Sequence, residues 1–256
     1  MKKLKLTDEE KEVLKGNEEG IRQAFINKAA LIAAEKNEFS EQEQEEMDYF
    51  YNNEKTKYFV AKQIEEKISV DADEVVKIYN ENKAQFDAQN VPFSQARDII
   101  QRDLLNQQVA ALENEEFNKI VQEMGDTVEV TKKEILFSQG NPDVIRNIIL
   151  NKIVAEKSKE ADFEKKEKNS LKIIKDNVLL NYYIDLEVRK KVQVTHEEIV
   201  NIYEAEKGKL GNVTPNDAYN QIANGLLNNK ANEERTNVIN KIVEEYKIDE
   251  LVKENL

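Results

Sequence analysis

The chain contains no cysteine. Disulfides, thiolate metal sites and cysteine nucleophiles are therefore excluded. Tryptophan is absent too, and His196 is the single histidine. There is no Gly-rich phosphate loop, no Ser/His/Asp arrangement and no HExxH pair, so the sequence routes to phosphoryl transfer, acyl transfer and zinc hydrolysis are missing. No apolar run approaches the ~18–20 residues of a membrane span. Helix breakers are scarce, with 3 prolines and 7 glycines in 256 residues. Basic residues are outnumbered, 38 against 51 acidic, for a net charge of −13. That balance argues against nucleic acid, whose phosphates require clustered Lys and Arg. It gives a solubilising surface and names no partner. The acidic clusters Glu41, Glu43, Glu45, Glu46 and Asp71, Asp73, Glu74 lack the alternating oxygens and central glycine of a calcium loop. They read as helix N-terminal charges favoured by the helix dipole. No catalytic residue, metal ligand or cofactor site is expected.

What is present is a repeat. Displaced by 124 residues, the chain matches itself without a gap from about Leu4 to Lys83. Thr7 meets Thr131, Gly16-Asn17 meets Gly140-Asn141, and Ile21-Arg22 meets Ile145-Arg146. Val70, Glu74, Ile78 and Tyr79 meet Val194, Glu198, Ile202 and Tyr203. At a displacement of 122 the match resumes, with Leu104-Leu105-Asn106 on Leu226-Leu227-Asn228 and Ile120-Val121 on Ile242-Val243. The period is far above the ~20–50 residues of solenoids. It indicates duplication of a domain-sized unit, with expected units 1–126 and 127–256. His196 meets Ala72, so a role for the histidine would exist in one copy only, and it reads as an exposed cap-region residue.

The expected fold is mainly α, with two repeated multi-helix units, long helices, and short β segments at the unit starts. Those segments are the alternating runs Leu4-Lys5-Leu6 and Val128-Glu129-Val130, strand-like or simply extended. Thr7 with Glu10, Thr131 with Glu134 and Ser40 with Glu43 have capping-box spacing. Helices are expected over about 18–36 and 142–161, then from about 41 to 68. Asp71 with Glu74 and Thr195 with Glu198 open helices over about 72–86 and 196–208. Pro92 and Pro215 stand at or near the start of the last long helices, about 93–124 and 215–246. Gly125-Asp126 closes the first unit with no flexible linker after it.

The helix at about 41–68 spans about 40 Å at ~1.5 Å per residue. At 100° per residue, Met47, Phe50, Tyr51, Tyr58, Ala61 and Ile68 share one stripe. Tyr49, Phe59 and Val60 fall off it. In the second copy Leu171, Ile174, Val178, Tyr182 and Val192 form the stripe, and Ile173, Tyr183 and Ile184 fall off it. A helix apolar on more than one side is either sandwiched between others or offers a second apolar face. The first alternative makes all these residues core. The second makes Tyr49, Phe59, Val60, Ile173, Tyr183 and Ile184 an apolar cradle for another polypeptide.

Four segments carry a family resemblance. Val70-Asp71-Ala72-Asp73-Glu74-Val75-Val76-Lys77-Ile78-Tyr79-Asn80-Glu81-Asn82-Lys83, and its copy from Val194 to Tyr203, resemble a segment of SurA/PrsA/PpiD-type chaperones. Phe93-Ser94-Gln95-Ala96-Arg97, continuing to Leu105, is similar to the helix that follows it in that family, and Ile21 to Glu35 to the helix at its start. The chain thus resembles a tandem of SurA_N-like helical chaperone domains. Family members usually carry a parvulin prolyl isomerase, and no parvulin pattern occurs here. The resemblance implies a non-catalytic protein that binds unfolded or partly folded polypeptides, and a cell-envelope or periplasmic location. Met1-Lys2-Lys3-Leu4-Lys5-Leu6-Thr7 has no apolar stretch behind it, so it does not read as a signal peptide, and a cytoplasmic location stays open. The alternative function is a structural or scaffold protein with one specific partner.

Overall fold

The structure is a computed structural model that describes residues 4–124, 127–160, 165–209 and 213–256. Among them it is mainly helical, with no strand. The helices are α1 (Asp8–Val13), α2 (Glu18–Lys36), α3 (Glu41–Ile64, followed by a 3₁₀ turn Glu65–Lys67), α4 (Ala72–Glu81), α5 (Lys83–Ala88) and α6 (Phe93–Met124). After these come α7 (Lys132–Ser138), α8 (Pro142–Glu160), α9 (Lys165–Arg189), α10 (His196–Glu206), α11 (Pro215–Glu245) and α12 (Ile248–Asn255).

The expected β segments do not form. Residues 4–6 and 128–130 belong to no strand. Leu6 is instead buried in a helical core with Leu4 packed beside it, and Val128 packs on another. An isolated three-residue run has no neighbouring edge to pair with, so its side chains dock and its backbone does not ladder.

Local chemistry sets the helix ends. The Thr7 N–H donates to Glu10 at 2.6 Å while the Glu10 N–H donates back to Thr7 Oγ1 at 3.1 Å. Thr131 with Glu134, Thr195 with Glu198 and Ser40 with Glu43 close the same reciprocal box. Asp71 does not use Glu74; its carboxylate accepts from the Asp73 N–H at 2.9 Å. Gly16 and Gly140 turn the chain ahead of α2 and α8 at φ of 74° and 77°, where a side chain would be strained.

Contacts divide the chain into two compact units, and not at the expected boundary of 126/127. One unit is Met1–Met47 together with Lys175–Leu256; the other is Asp48–Ile174. The boundaries fall inside α3 and α9. Gly125 and Asp126, the expected junction, lie outside the described residues.

In the first unit, α2 supplies Ile21, Phe25, Ile26, Ala29 and Ala30. They meet Val238, Ile242 and Val243 of α11, Ile248 and Val252 of α12, and Leu180, Ile184 and Val188 of α9. Arg22 pairs with Asp249 at 3.3 Å across 227 residues of sequence. A second cluster joins Met47 to Tyr182 and Leu186. There the Tyr182 hydroxyl donates to Glu46 at 2.9 Å, Arg189 donates to Glu46 at 3.1 Å, and the Arg189 guanidinium lies over the Tyr182 ring. Burial first, and the Glu46 carboxylate second, push the Tyr182 phenol up to about 12.

In the second unit, Val60 of α3 meets Ile120 of α6 and Leu150 and Ile153 of α8. A polar seam runs beside it. Thr56, itself buried, donates to Asn151 at 2.7 Å, and Asn151 donates to Asn53 at 2.7 Å.

The division departs from the expected one for a physical reason. Ile120-Val121 and Ile242-Val243 are equivalent in sequence, so periodicity alone offers α2 two suitable partners. The structure closes α2 on α11 and α12.

This arrangement predicts where a core defect spreads. Phe25 is fully buried, and Phe25→Ala should destabilise the first unit by about 3–5 kcal/mol. Hydrogen exchange followed by mass spectrometry should show protection lost in α11 and α12 while α6 and α8 keep theirs. Loss of protection in α6 instead would return the boundary to 126/127.

Candidate functional site

Two helix pairs, α4–α6 and α10–α11, expose Val76, Phe93, Ile99, Leu105 and Leu227 among the large apolar side chains. In the second unit α4 packs on α6. The buried residues of this pairing are few, namely Val75 on α4 and Ala96 and Ile100 on the first turns of α6. The Tyr79 ring meets Phe93 edge-on at 4.7 Å and stacks on Phe86 at 5.8 Å. Val76, Phe93, Ile99 and Leu105 remain exposed. The Ser69 N–H donates to Gln108 on α6 at 3.0 Å and ties down the approach to α4.

In the first unit α10 packs on α11. Helix α10 has no fully buried residue, and Ala218 is the buried residue on the facing turns of α11. Tyr203 and Tyr219 meet edge-on at 4.7 Å, with His196 edge-on to Tyr219 at 6.3 Å. Between the helices is an open hollow of about 310 Å³ lined by Ile202, Ala218, Ile222, Gly225 and Leu226, with Glu206 at its wall. Leu227 is exposed beside it in sequence.

A lysine clamp fixes this pair. Lys230 of α11 pairs with Glu198 at 2.5 Å and donates to the Gln193 carbonyl at 2.8 Å. Glu198 also accepts from the Thr195 N–H and hydroxyl. The Lys230 hydrogen bond first, then those from Thr195, pull the Glu198 carboxyl down to about 2. The same device recurs where α1 meets α2 and α7 meets α8. Lys28 pairs with Glu10 at 2.9 Å, and Lys152 with Glu134 at 2.8 Å. For both glutamates burial is the largest influence and acts upward, yet the hydrogen bonds from threonine and lysine outweigh it and leave the carboxyl lowered.

The six cradle residues expected on the long helices do not form one surface. Val60 is 0% exposed and belongs to the core of the second unit. Ile184, 5% exposed, belongs to the core of the first. Both are corrected to structural residues, because α3 and α9 are packed on more than one side, the sandwiched alternative. Tyr183 packs against the same core as Ile184, and burial raises its phenol. Phe59 is half-buried. Tyr49 is half-buried against Phe137, with ring centres 5.1 Å apart. Ile173 alone of the six is open, 60% exposed.

Sequence reasoning missed Val76, Phe93, Ile99, Leu105, Leu227 and the hollow at Gly225. A signal was available. Leu104-Leu105 and Leu226-Leu227 are adjacent pairs on helices, ~100° apart, so a thin seam covers one member of a pair more fully than the other. In each pair the first leucine is half-buried and the second is exposed. Among the described residues no three His, Asp or Glu side chains converge to hold a metal ion. No described helix is long and apolar enough to cross a membrane.

The clamp gives a pH dependence. Glu198 is lowered in the folded state from an ordinary 4.5 to about 2. Its contribution is therefore complete above about pH 4.5 and is lost as pH falls towards 2. A carboxyl titration by NMR should place Glu198 near the lower value, and Lys230→Met should return it towards the upper. A midpoint near 4.5 in the unaltered protein would remove the clamp from the account of α10–α11 docking.

Compared with known proteins, the chain matches no family model, no curated protein and no solved structure.

Proposed function

We propose that the protein is a non-catalytic, chaperone-like binder of unfolded or partly folded polypeptides, and that the exposed faces of α4–α6 and α10–α11 are its contact surfaces. One observation carries this reading. Both helix pairs leave large apolar side chains exposed, among them Val76, Ile99 and Leu105 on α4–α6 and Leu227 on α10–α11. In each pair the leucine left exposed is the second of an adjacent leucine pair. The exposed leucine falls at the matching position of both pairs, 105 and 227, which supports a shared contact role.

Magnitudes shape the mode of binding. A patch burying roughly 300 Å² of apolar area returns about 7 kcal/mol at ~25 cal/mol per Å². Association costs of about 4–15 kcal/mol consume most or all of that. One patch therefore holds a client weakly, and an extended client engaging several patches is held better through effective concentration. Such binding suits transient capture. The acidic surface keeps the complex in solution.

The wider reading is a duplicated helical module of the SurA/PrsA/PpiD type without the isomerase, working in the cell envelope. The motif order in the sequence supports it, as do the capping boxes at Thr7 and Thr131 and the positive-φ glycines at 16 and 140.

Suppression of aggregation tests the function. The full chain in several-fold molar excess should delay light scattering by a chemically denatured model substrate. Leu105 and Leu227 are exposed, so replacing both by serine should change stability by no more than about 0.5 kcal/mol per site. The loss of two apolar contacts should nevertheless weaken suppression by about tenfold. No suppression by the unaltered protein, or an unchanged double variant with Leu105→Ser and Leu227→Ser, would overturn the assignment. One dominant cross-linked partner in place of many unrelated clients would point to a scaffold instead.

A further inference from the structure

Gly225 lies in the interior of α11, a helix of 31 residues. Glycine is the poorest helix former after proline, so its presence there needs a reason. Backbone strain is not the reason, because the positive-φ glycines are Gly16 and Gly140. Close approach is not the reason either, because a Cβ at Gly225 would meet nothing within 4 Å. What glycine does at this position is leave the hollow open. With Ile202, Ala218, Ile222 and Leu226 it bounds about 310 Å³. That is the small end of ligand pockets, about 300–1,000 Å³, and it suits an inserted side chain better than a whole small molecule.

The hollow is also charged with one sign. Among the described residues Glu206 is its single ionised lining group, and no lysine or arginine lines it. Nearby Lys207 is already paired with Glu204. The chain as a whole carries −13. The α4–α6 pair differs at both decisive positions. By sequence spacing Asn82 stands for Glu206 and Asp103 for Gly225. Asn82 is occupied in donating to the Ile78 carbonyl at 2.9 Å, and Asp103 puts a side chain where the glycine leaves space.

We infer that the α10–α11 hollow is a socket for an apolar side chain, of leucine or isoleucine size, that has a lysine or arginine beside it in an extended polypeptide. The apolar group fills the space above Gly225 and the cation faces Glu206. This rests on the polypeptide-binding reading and names the class of segment preferred. It also makes α10–α11 the discriminating pair and α4–α6 the indiscriminate one.

The test is fluorescence anisotropy with the full chain and three labelled peptides sharing one Leu/Ile core, flanked by lysine, by serine or by glutamate. The lysine-flanked peptide should bind tightest at low salt. Its advantage should vanish near 1 M salt, where the screening length falls to about 3 Å. Glu206→Gln should weaken the lysine-flanked peptide about two- to five-fold, the range of one exposed ion pair, and leave the serine-flanked peptide unchanged. Gly225→Leu should weaken all three while leaving the thermal melt equal or higher, since leucine favours the helix. Peptides bound regardless of flank, or a silent Glu206→Gln, would overturn the socket while polypeptide binding stands. No binding of any peptide, together with no suppression of aggregation, would overturn both.

Discussion

The apolar face of α2 must be covered, and its cover comes from the far end of the chain. Ile21, Phe25, Ile26, Ala29 and Ala30 are buried by α9, α11 and α12. Everything else in that unit follows. The segment after Lys36 must lead away as α3, and α9 must return at Lys175. Closing so long a loop costs little extra in equilibrium terms, because loop entropy grows only with the logarithm of length. It is kinetics that suffers, since contacts of high sequence separation slow folding. The Arg22–Asp249 pair adds little energy at an exposed site, but it marks how far the unit reaches.

The threonine–glutamate–lysine clamp shows how local and distant instructions are joined. Each capping box is local, with two residues between Thr and Glu, and it decides where a helix starts. Its carboxylate has lone pairs left over after accepting from the threonine. Lys28, Lys152 and Lys230 use them, each from the helix packed alongside. One carboxylate thus sets both the start of a helix and the neighbour against which it lies. A carboxylate already ordered by the box loses little further entropy when the lysine arrives, and its lowered pKa follows from the several donors whose hydrogen bonds it accepts.

Particular residues show how much of this was legible. Thr7, Thr131, Thr195 and Ser40 announced their helices, and Pro215 and Gly16 punctuated the chain where expected, because those signals act within four residues. The runs at 4–6 and 128–130 misled, because alternation records which side chains are buried and says nothing about whether an edge strand is available. Partner choice was illegible for a deeper reason. Ile120-Val121 and Ile242-Val243 match in sequence, so pattern alone could not say which of them α2 would meet. The long helices fail similarly as a site. Off-stripe residues such as Val60 and Ile184 signal two-sided burial and two-sided function alike, and only neighbours decide. Leu105 and Leu227 were more legible, because each follows a half-buried leucine and sits ~100° round the helix from it, off a thin seam.

The thin seams of α4–α6 and α10–α11 bear on the proposed binding of many sequences. Val75, Ala96 and Ile100 are the buried residues of one pairing, and α10 contributes none to the other. Segments with few buried contacts open at low free-energy cost, well below global unfolding. The cores around Phe25 and Ile153 are the opposite, each with fully buried side chains from several helices. The fold therefore separates two demands that conflict in a single core. Rigidity is concentrated where distant segments must be held together. Adaptability lies in helix pairs whose packing is too slight to fix one geometry. The lysine clamp at Glu198 then limits the movement, because it anchors the base of α10, while the Tyr203–Glu206 end, where the hollow lies, meets α11 through the Tyr203–Tyr219 ring contact.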